Sequence, residues 1–214
     1  MAFLTLDKLC QDFQIILLDA SAINCFLECR GAQSEKLKER INYAIEEKNS
    51  VIFFRKYFNK ENNFLITSLI FDELDYKENF SIRETLAKYD FLTISEKEKE
   101  YYRESCAYKK EINKLLKIIK KKEKILNFNQ YEKKEYFCSF ERNFYLKKRH
   151  NLSDPDYDML ISGAVLSKLR GKTAILSNDF PLLCSYKSLV YEEKLNTENY
   201  GFFLRPKKEF FKKG

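Results

Sequence analysis

The sequence predicts an α/β fold of three layers, with a central parallel sheet between two layers of helices. Short apolar runs of strand length stand near both ends of the chain, and segments with helical spacing of their apolar residues lie between them. Gly and Pro are scarce, at 5 and 3 in 214 residues, which favours long helices and short loops. Hydrophobic residues make up 44% of the chain, enough for a full core.

The first part of the chain contains two predicted strands. Residues 15–18, with the sequence IILL, are apolar at every position, as in a strand that is buried on both faces. Apolar residues between 37 and 45 have helical spacing, and the run VIFFRKYF after them fits either a strand or a buried helix. A second strand is predicted at 64–66. Thr67 or Ser68 then caps a helix that carries Glu73 in its second turn.

The middle of the chain differs in charge from the rest. Residues 99–149 contain 16 Lys and Arg against 7 Glu, an excess larger than the net +7 of the whole chain. We therefore predict a discontinuous core, formed by residues 1–96 and 151–214, and an inserted basic helical segment, residues 97–150, which can fold as a helical hairpin. The aromatic and apolar side chains of that segment suit a subunit interface in a homo-oligomer.

The last part of the chain repeats the helix and strand pattern. Ser153 is the predicted N-cap of a helix that Pro155 opens and Gly171 ends. The next strand is predicted at 173–176, and it leads into Ser177, Asn178 and Asp179.

Two of the predicted strands therefore end in a carboxylate, at Asp19 and Asp179. The carboxyl ends of parallel strands meet at one edge of a sheet, and the helices that bear Glu73 and the Asp156–Asp158 pair can reach the same edge. Clustered carboxylates repel one another unless a cation neutralises them. Oxygen ligands without Cys or His select Mg²⁺ or Mn²⁺, which activate water in phosphodiester hydrolysis. The acids hence predict a site for one or two such ions.

Four segments carry a resemblance to a known family. They are IILLDAS, ITSLIFDEL, DYDMLISGAVL and AILSND, in this order along the chain. Together they resemble the PIN-domain metal-dependent ribonucleases. The resemblance implies a three-layer α/β/α fold and a Mg²⁺- or Mn²⁺-dependent endoribonuclease that leaves 5′-phosphate and 3′-hydroxyl ends. It also implies that the metal-binding and catalytic acids are Asp19, Glu73, Asp158 and Asp179, and that Ser21 and Ser177 orient them or a bound water.

The third acid has two candidates, since Asp156 and Asp158 both stand in the DYD sequence. We prefer Asp158 because it directly precedes the apolar run, and Asp156 comes second as a metal ligand; Asp72 competes with Glu73 in the same way. The paired Asp residues and the basic insertion are also similar to the small protein-only RNase P enzymes, which implies a structured substrate such as tRNA or its precursor. The expected RNA contacts are Lys120, Lys121, Lys122, Arg149, Arg205, Lys207 and Lys208.

Two other functions fit the same sequence. The chain can be the toxin ribonuclease of a toxin–antitoxin pair, with a protein inhibitor as partner, or a non-catalytic RNA-binding or assembly protein on a PIN scaffold. The sequence has a single His and no CxxC pair, so zinc is not expected. It shows no secretory signal and no apolar run of the ~20 residues needed to cross a membrane, which predicts a soluble cytoplasmic protein without a membrane partner.

Overall fold

A computed structural model describes residues 6–24, 37–60, 63–76 and 95–204 of the chain. Within these ranges, the chain forms four strands and eight helices. In order they are α1 (Leu6–Asp12), β1 (Ile15–Leu18), α2 (Ala20–Asn24), α3 (Leu37–Lys60), β2 (Phe64–Leu65), α4 (68–76), α5 (Glu96–Lys121), α6 (Gln130–His150), α7 (Asp154–Leu169), β3 (Thr173–Ser177), α8 (Phe180–Glu192) and β4 (Tyr200–Leu204).

The four strands form one parallel sheet in the order β2-β1-β3-β4. β1 and β3 are neighbours, and Leu18 stands opposite Leu176 at their carboxyl ends. This register brings the residues that follow the two strands to the same edge of the sheet. We call it the carboxyl edge.

Helices cover both faces of the sheet, which confirms the predicted three-layer α/β/α architecture. Alternate strand residues point to opposite faces. Ile16 and Leu18 pack into a core with α1, α3, α4 and α5, whereas Leu17 and Ile175 pack into a second core with α6, α7 and α8. None of the described helices is both long and apolar enough to cross a membrane.

The two helices of segment 97–150 do not pair as a hairpin would. α5 packs against α3 in the first core, and α6 covers α7 in the second, so the sheet lies between them. The chain between them passes the edge of the sheet, where the Ile66 N–H donates to Lys124 O (3.0 Å) and the Leu126 N–H donates to Ile66 O (2.8 Å). Both helices therefore complete the two cores. Because α6 covers its outward side, α7 is buried all round from Met159 to Leu166.

Most of the predicted element boundaries are confirmed. VIFFRKYF is helical and belongs to α3. Thr67 caps α4 by accepting from the Ile70 N–H (3.3 Å), and Ser153 caps α7 by accepting from the Asp156 N–H (3.3 Å). The sequence did not predict α1 or β4. β4 contains Gly201 between aromatic residues, and it runs into the basic and aromatic end of the sequence, so it showed no clear strand pattern.

Gly163 in α7 allows the sheet to approach the helix closely. A Cβ atom at this position would lie 2.7 Å from Cε2 of Tyr200. The Tyr200 ring cannot easily move, because it is fully buried and its hydroxyl donates to Leu160 O (2.9 Å). We therefore expect Gly163→Ala to lower the free energy of unfolding by about 2 kcal/mol, as overpacking does. Urea denaturation measures this difference.

The direction of that effect is diagnostic, because Gly→Ala inside a helix normally stabilises it by up to about 1 kcal/mol. An unchanged or raised free energy of unfolding would show that the ring yields to the methyl group. If the ring is the obstacle, Tyr200→Leu in the same chain should reduce the cost of the alanine, which a double-mutant cycle measures.

Candidate metal site at the carboxyl edge of the sheet

Asp19 lies directly after β1 and is almost completely buried, with 4% of its surface exposed. Its backbone N–H donates to Leu176 O (3.1 Å), which fixes it beside β3. The hydroxyls of Ser177 (2.6 Å) and Ser21 both donate to the same carboxylate oxygen, Oδ2. Asp19 is therefore held in one orientation by residues from both sides of the β1–β3 pair.

The two serines also join the start of α2 to the end of β3. Each hydroxyl has one proton and gives it to Asp19, so its lone pairs remain free to accept. Ser177 Oγ accepts from the Asp179 N–H (2.9 Å), and Ser21 Oγ accepts from the Asn178 N–H (3.0 Å). The Asn178 side-chain amide adds a bond to Ser21 O (3.2 Å). The resulting network contains Ser21 and Ser177, the two serines that the sequence selected.

Burial raises the pKa of Asp19 to about 6, from an ordinary value of 3.8. The hydrogen bonds from Ser177 and Ser21 favour the carboxylate and lower the pKa, but they do not offset the burial. The negative charges of Asp156 and Glu73 raise it further. Ionisation of Asp19 therefore lowers the stability of the folded chain.

Asp156 and Asp179 belong to the same electrostatic group. Burial raises the pKa of Asp156, and the charges of Asp179 and Glu73 add to that rise, while the Ser153 hydroxyl (2.6 Å from Oδ2) opposes it. Burial likewise raises the pKa of Asp179, and the Asp19 charge adds to the rise. Asp179 is the N-cap of α8 through a long bond from the Leu182 N–H (3.4 Å). The charges that shift these three acids are all negative.

The two acids of the DYD sequence have different partners: the charge of Asp156 acts on Asp19, whereas Asp158 is held by hydrogen bonds from other elements. Residues two apart on a helix point to nearly opposite sides. Asp158 accepts from the Tyr136 hydroxyl (2.6 Å) and from the Thr67 side chain. Burial raises its pKa, and these two hydrogen bonds oppose the rise. Asp158 therefore connects α7 to α6 and to the start of α4, while Asp156 is the acid of this pair whose charge raises the pKa of Asp19.

Glu73 is half-buried on α4, whereas the competing Asp72 is exposed. Glu73 raises the pKa of both Asp19 and Asp156 through its charge. The structure thus brings four acids into mutual electrostatic influence at the carboxyl edge, and each comes from a different element. They are Asp19, Glu73, Asp156 and Asp179.

The four acids lie near enough for their charges to act on one another, but their side chains do not converge on a single metal position. Within the described ranges, no three Asp, Glu, His or Cys side chains converge closely enough to hold a metal ion as they stand. The donor chemistry nevertheless suits a hard divalent cation, since the group offers only oxygen atoms. Asp156 and Asp179 are only partly buried, and each carboxylate could turn toward an ion by giving up one capping hydrogen bond, from Ser153 or from the Leu182 N–H.

Of the basic residues selected from the sequence, the structure describes four: Lys120, Lys121, Lys122 and Arg149. Lys120 places its ammonium 4.9 Å from the ring centre of Phe71 on α4, the helix that carries Glu73. Lys122 donates to Asn59 O, and Lys121 is exposed. Arg149 pairs with Glu192 (3.3 Å), about 20 Å along α8 from its start at Asp179. The other three, Arg205, Lys207 and Lys208, lie outside the described residues.

Sequence reasoning did not select three residues that position the acids. Asn178 ties the end of β3 to Ser21, and Tyr136 and Thr67 hold Asp158. Asn178 could have been selected from the sequence, because it stands between two residues that were selected, Ser177 and Asp179. Tyr136 lies 22 positions from Asp158 on another helix, and its role follows only from the packing of α6 on α7.

Removing the Tyr136 hydroxyl should destabilise the fold. In Tyr136→Phe the largely buried Asp158 loses its 2.6 Å hydrogen bond, and we expect the free energy of unfolding at pH 7 to fall by about 1.5–3 kcal/mol. Chemical denaturation measures this loss. Tyr131→Phe is the matched control, because Tyr131 lies on the same helix with 67% of its surface exposed. Equal stability of the two variants would contradict a bracing role for Tyr136.

Comparison of the chain with protein-family models, curated proteins and solved structures finds no match.

Proposed function

We propose that this chain is a Mg²⁺- or Mn²⁺-dependent endoribonuclease that hydrolyses phosphodiester bonds in structured RNA, such as tRNA or its precursor, and leaves 5′-phosphate and 3′-hydroxyl ends. One observation carries the proposal: acids from four different elements meet at the carboxyl edge of a parallel sheet, where burial and the neighbouring negative charges raise the pKa of Asp19, Asp156 and Asp179, and Glu73 supplies part of that charge. In open α/β sheets, this edge is where ligands bind.

The four acids destabilise the folded chain unless a cation neutralises their charges. Buried like charges are tolerated at functional sites because they are neutralised when a ligand binds. Asp19, Glu73, Asp156 and Asp179 are the residues that would hold Mg²⁺ or Mn²⁺. When bound, such an ion acts as a Lewis acid on a phosphoryl oxygen and lowers the pKa of a bound water.

The residues of the chain have distinct tasks in this proposal. Ser21 and Ser177 fix the Asp19 carboxylate, so one of its oxygens is committed to the serines and the other remains available. Asn178 ties the end of β3 to the start of α2 and keeps Asp179 beside Asp19. Lys120, next to α4, can bind a phosphate group of the RNA close to the acids.

Incubation of the purified protein with total RNA tests the proposal. We expect cleavage with Mg²⁺ or Mn²⁺ and none with EDTA. Mapping of the cut ends should show 5′-phosphates and 3′-hydroxyls at a limited number of positions. RNA that stays intact with both metals would refute the proposal, and so would cleavage that persists in EDTA.

A further inference from the structure

The outward side of α5 carries a continuous row of positive charge, which we call the α5 stripe. Its six residues recur every three, four or seven positions and therefore fall within about 60° of one another around the helix axis. All six are exposed. They are Lys99, Arg103, Lys110, Lys114, Lys117 and Lys121.

The stripe lies directly opposite the buried side of the same helix. Ile112, Leu115 and Ile119 fill the first core, half a turn away from Lys110 and Lys117. From Lys99 to Lys121 the row is about 33 Å long, because a helix rises 1.5 Å per residue. A single straight helix thus presents a rigid linear array of cations.

The acids of α5 are arranged so that they leave this array positive. Glu104 pairs with Lys48 and Glu111 pairs with Arg55, and both partners lie on α3. These acids are largely buried between the two helices. Two stripe residues, Lys99 and Lys114, have acid partners one turn away on α5 itself. In the part of the chain that the structure describes, Lys110, Lys117 and Lys121 show no ion pair with an acid.

The beginning of α5 carries the exposed acids Glu96 and Glu100 beside Lys99. From Arg103 to Lys121 the two acids of the helix, Glu104 and Glu111, pair with α3, so the charged residues of the outward side are all cations there. This local excess of positive charge favours an extended polyanion as the partner of the stripe. One end of the row reaches α4, where Lys120 contacts the Phe71 ring two residues before Glu73. A polyanion on the stripe would therefore extend toward the carboxyl edge.

The form of the polyanion follows from what the stripe lacks. Single-stranded nucleic acid is usually bound with exposed aromatic side chains on which its bases stack. Among the described residues, large exposed apolar side chains occur on α6 and elsewhere but not on α5. Contacts confined to phosphates suit double-stranded RNA, which proteins recognise by shape and backbone rather than by sequence.

From these observations we infer that the α5 stripe binds the phosphate backbone of double-stranded RNA and holds a duplex part of the substrate beside the acids. The inference rests on the proposed function for the identity of the polyanion as RNA. It adds the substrate form and the surface that selects it.

Binding can be measured separately from cleavage by working in EDTA. The probe is a fluorescent RNA duplex of about 20 base pairs, titrated by anisotropy between about 50 and 200 mM salt. The test variant combines Lys110→Ala, Lys117→Ala and Lys121→Ala. We expect its affinity at low salt to fall at least about tenfold, and the slope of log K against log salt to shrink by about 2–3, near one per lysine.

A second triple variant provides the matched control. Lys168→Ala, Lys172→Ala and Lys187→Ala removes the same charge from exposed positions elsewhere on the surface. We expect this variant to bind within about twofold of the unmodified chain. Equal weakening of both variants would show that net charge rather than the stripe governs binding, and would overturn the inference. Circular dichroism melting of each variant verifies that the fold is retained.

Competition with single-stranded RNA of the same length tests the preference for duplex. The inference requires the duplex to compete more strongly, and it fails if the single strand competes equally well. Failure of the proposed function looks different: the duplex would bind through the stripe in EDTA, and no cleavage would follow when Mn²⁺ is added. The opposite outcome is that the stripe variant binds the duplex normally and RNA is still cleaved. This result would overturn the inference and leave the proposed function standing.

Discussion

Replacing Asp19 with asparagine is expected to lower the rate of metal-dependent RNA cleavage by about 10³-fold or more. The amide side chain has nearly the same size as the carboxylate and keeps an oxygen that can accept from Ser21 and Ser177, so the local hydrogen bonds can persist. What the substitution removes is the buried negative charge that a divalent cation requires. The measurement is the initial rate of cleavage of a defined RNA at saturating Mn²⁺.

The effect must be separated from a general loss of charge at this end of the molecule. Asp154→Asn is the matched control, because Asp154 lies in the same helix turn as Asp156 but is exposed and pairs with Lys147. We expect this variant to cleave at close to the normal rate. Binding of RNA in EDTA should be unchanged or stronger in Asp19→Asn, because one repulsive charge is gone. Cleavage by Asp19→Asn at the normal rate would remove Asp19 from the site.

The acids at the strand ends could be predicted because their positions depend only on the pairing of the strands. Apolar runs identified β1 and β3, and parallel pairing then placed Asp19 and Asp179 at one edge. The choice between Asp156 and Asp158 could not be made in this way. It depends on which side of α7 faces the sheet, and a helix buried all round gives no amphipathic signal to reveal it.

The positions of α5 and α6 were out of reach for a related reason. Their sequences show where each helix begins and which side is apolar, but not which apolar surface each one covers. A hairpin would bury the apolar sides against each other. In the structure, α5 instead completes the core under β2, and α6 covers α7. The short segment at Ile66 and Ile125, which carries the chain around the sheet edge, has too few residues to give a strand pattern.

Stability should fall as the pH rises from 4 to 7 when no divalent cation is present. An acid whose pKa is higher in the folded than in the unfolded state binds more protons when folded, so deprotonation favours unfolding. With its pKa at about 6 rather than 3.8, Asp19 alone costs about 3 kcal/mol at pH 7, of which about 1 kcal/mol develops between pH 5 and pH 7. Burial raises the pKa of Asp156, Asp158 and Asp179 in the same direction.

The ion pair of Glu132 and Arg170 has the opposite pH dependence, because it loses stability as the pH falls. It therefore sets the lowest pH at which the comparison is informative. Arg170 lowers the pKa of Glu132, so the stability from this pair is present above the ordinary pKa of a Glu and is lost only in acid. Urea denaturation at pH 5 and at pH 7, both in EDTA, therefore reports mainly on the acids whose pKa is raised by burial.

The Asp19→Asn variant should lose about 1 kcal/mol less than the unmodified chain between these two pH values. A saturating divalent cation should restore stability to the unmodified chain at pH 7 more than at pH 5, because protons compete with it for the carboxylates. If both chains showed the same pH dependence, Asp19 would not carry the buried charge around which the proposed site is built.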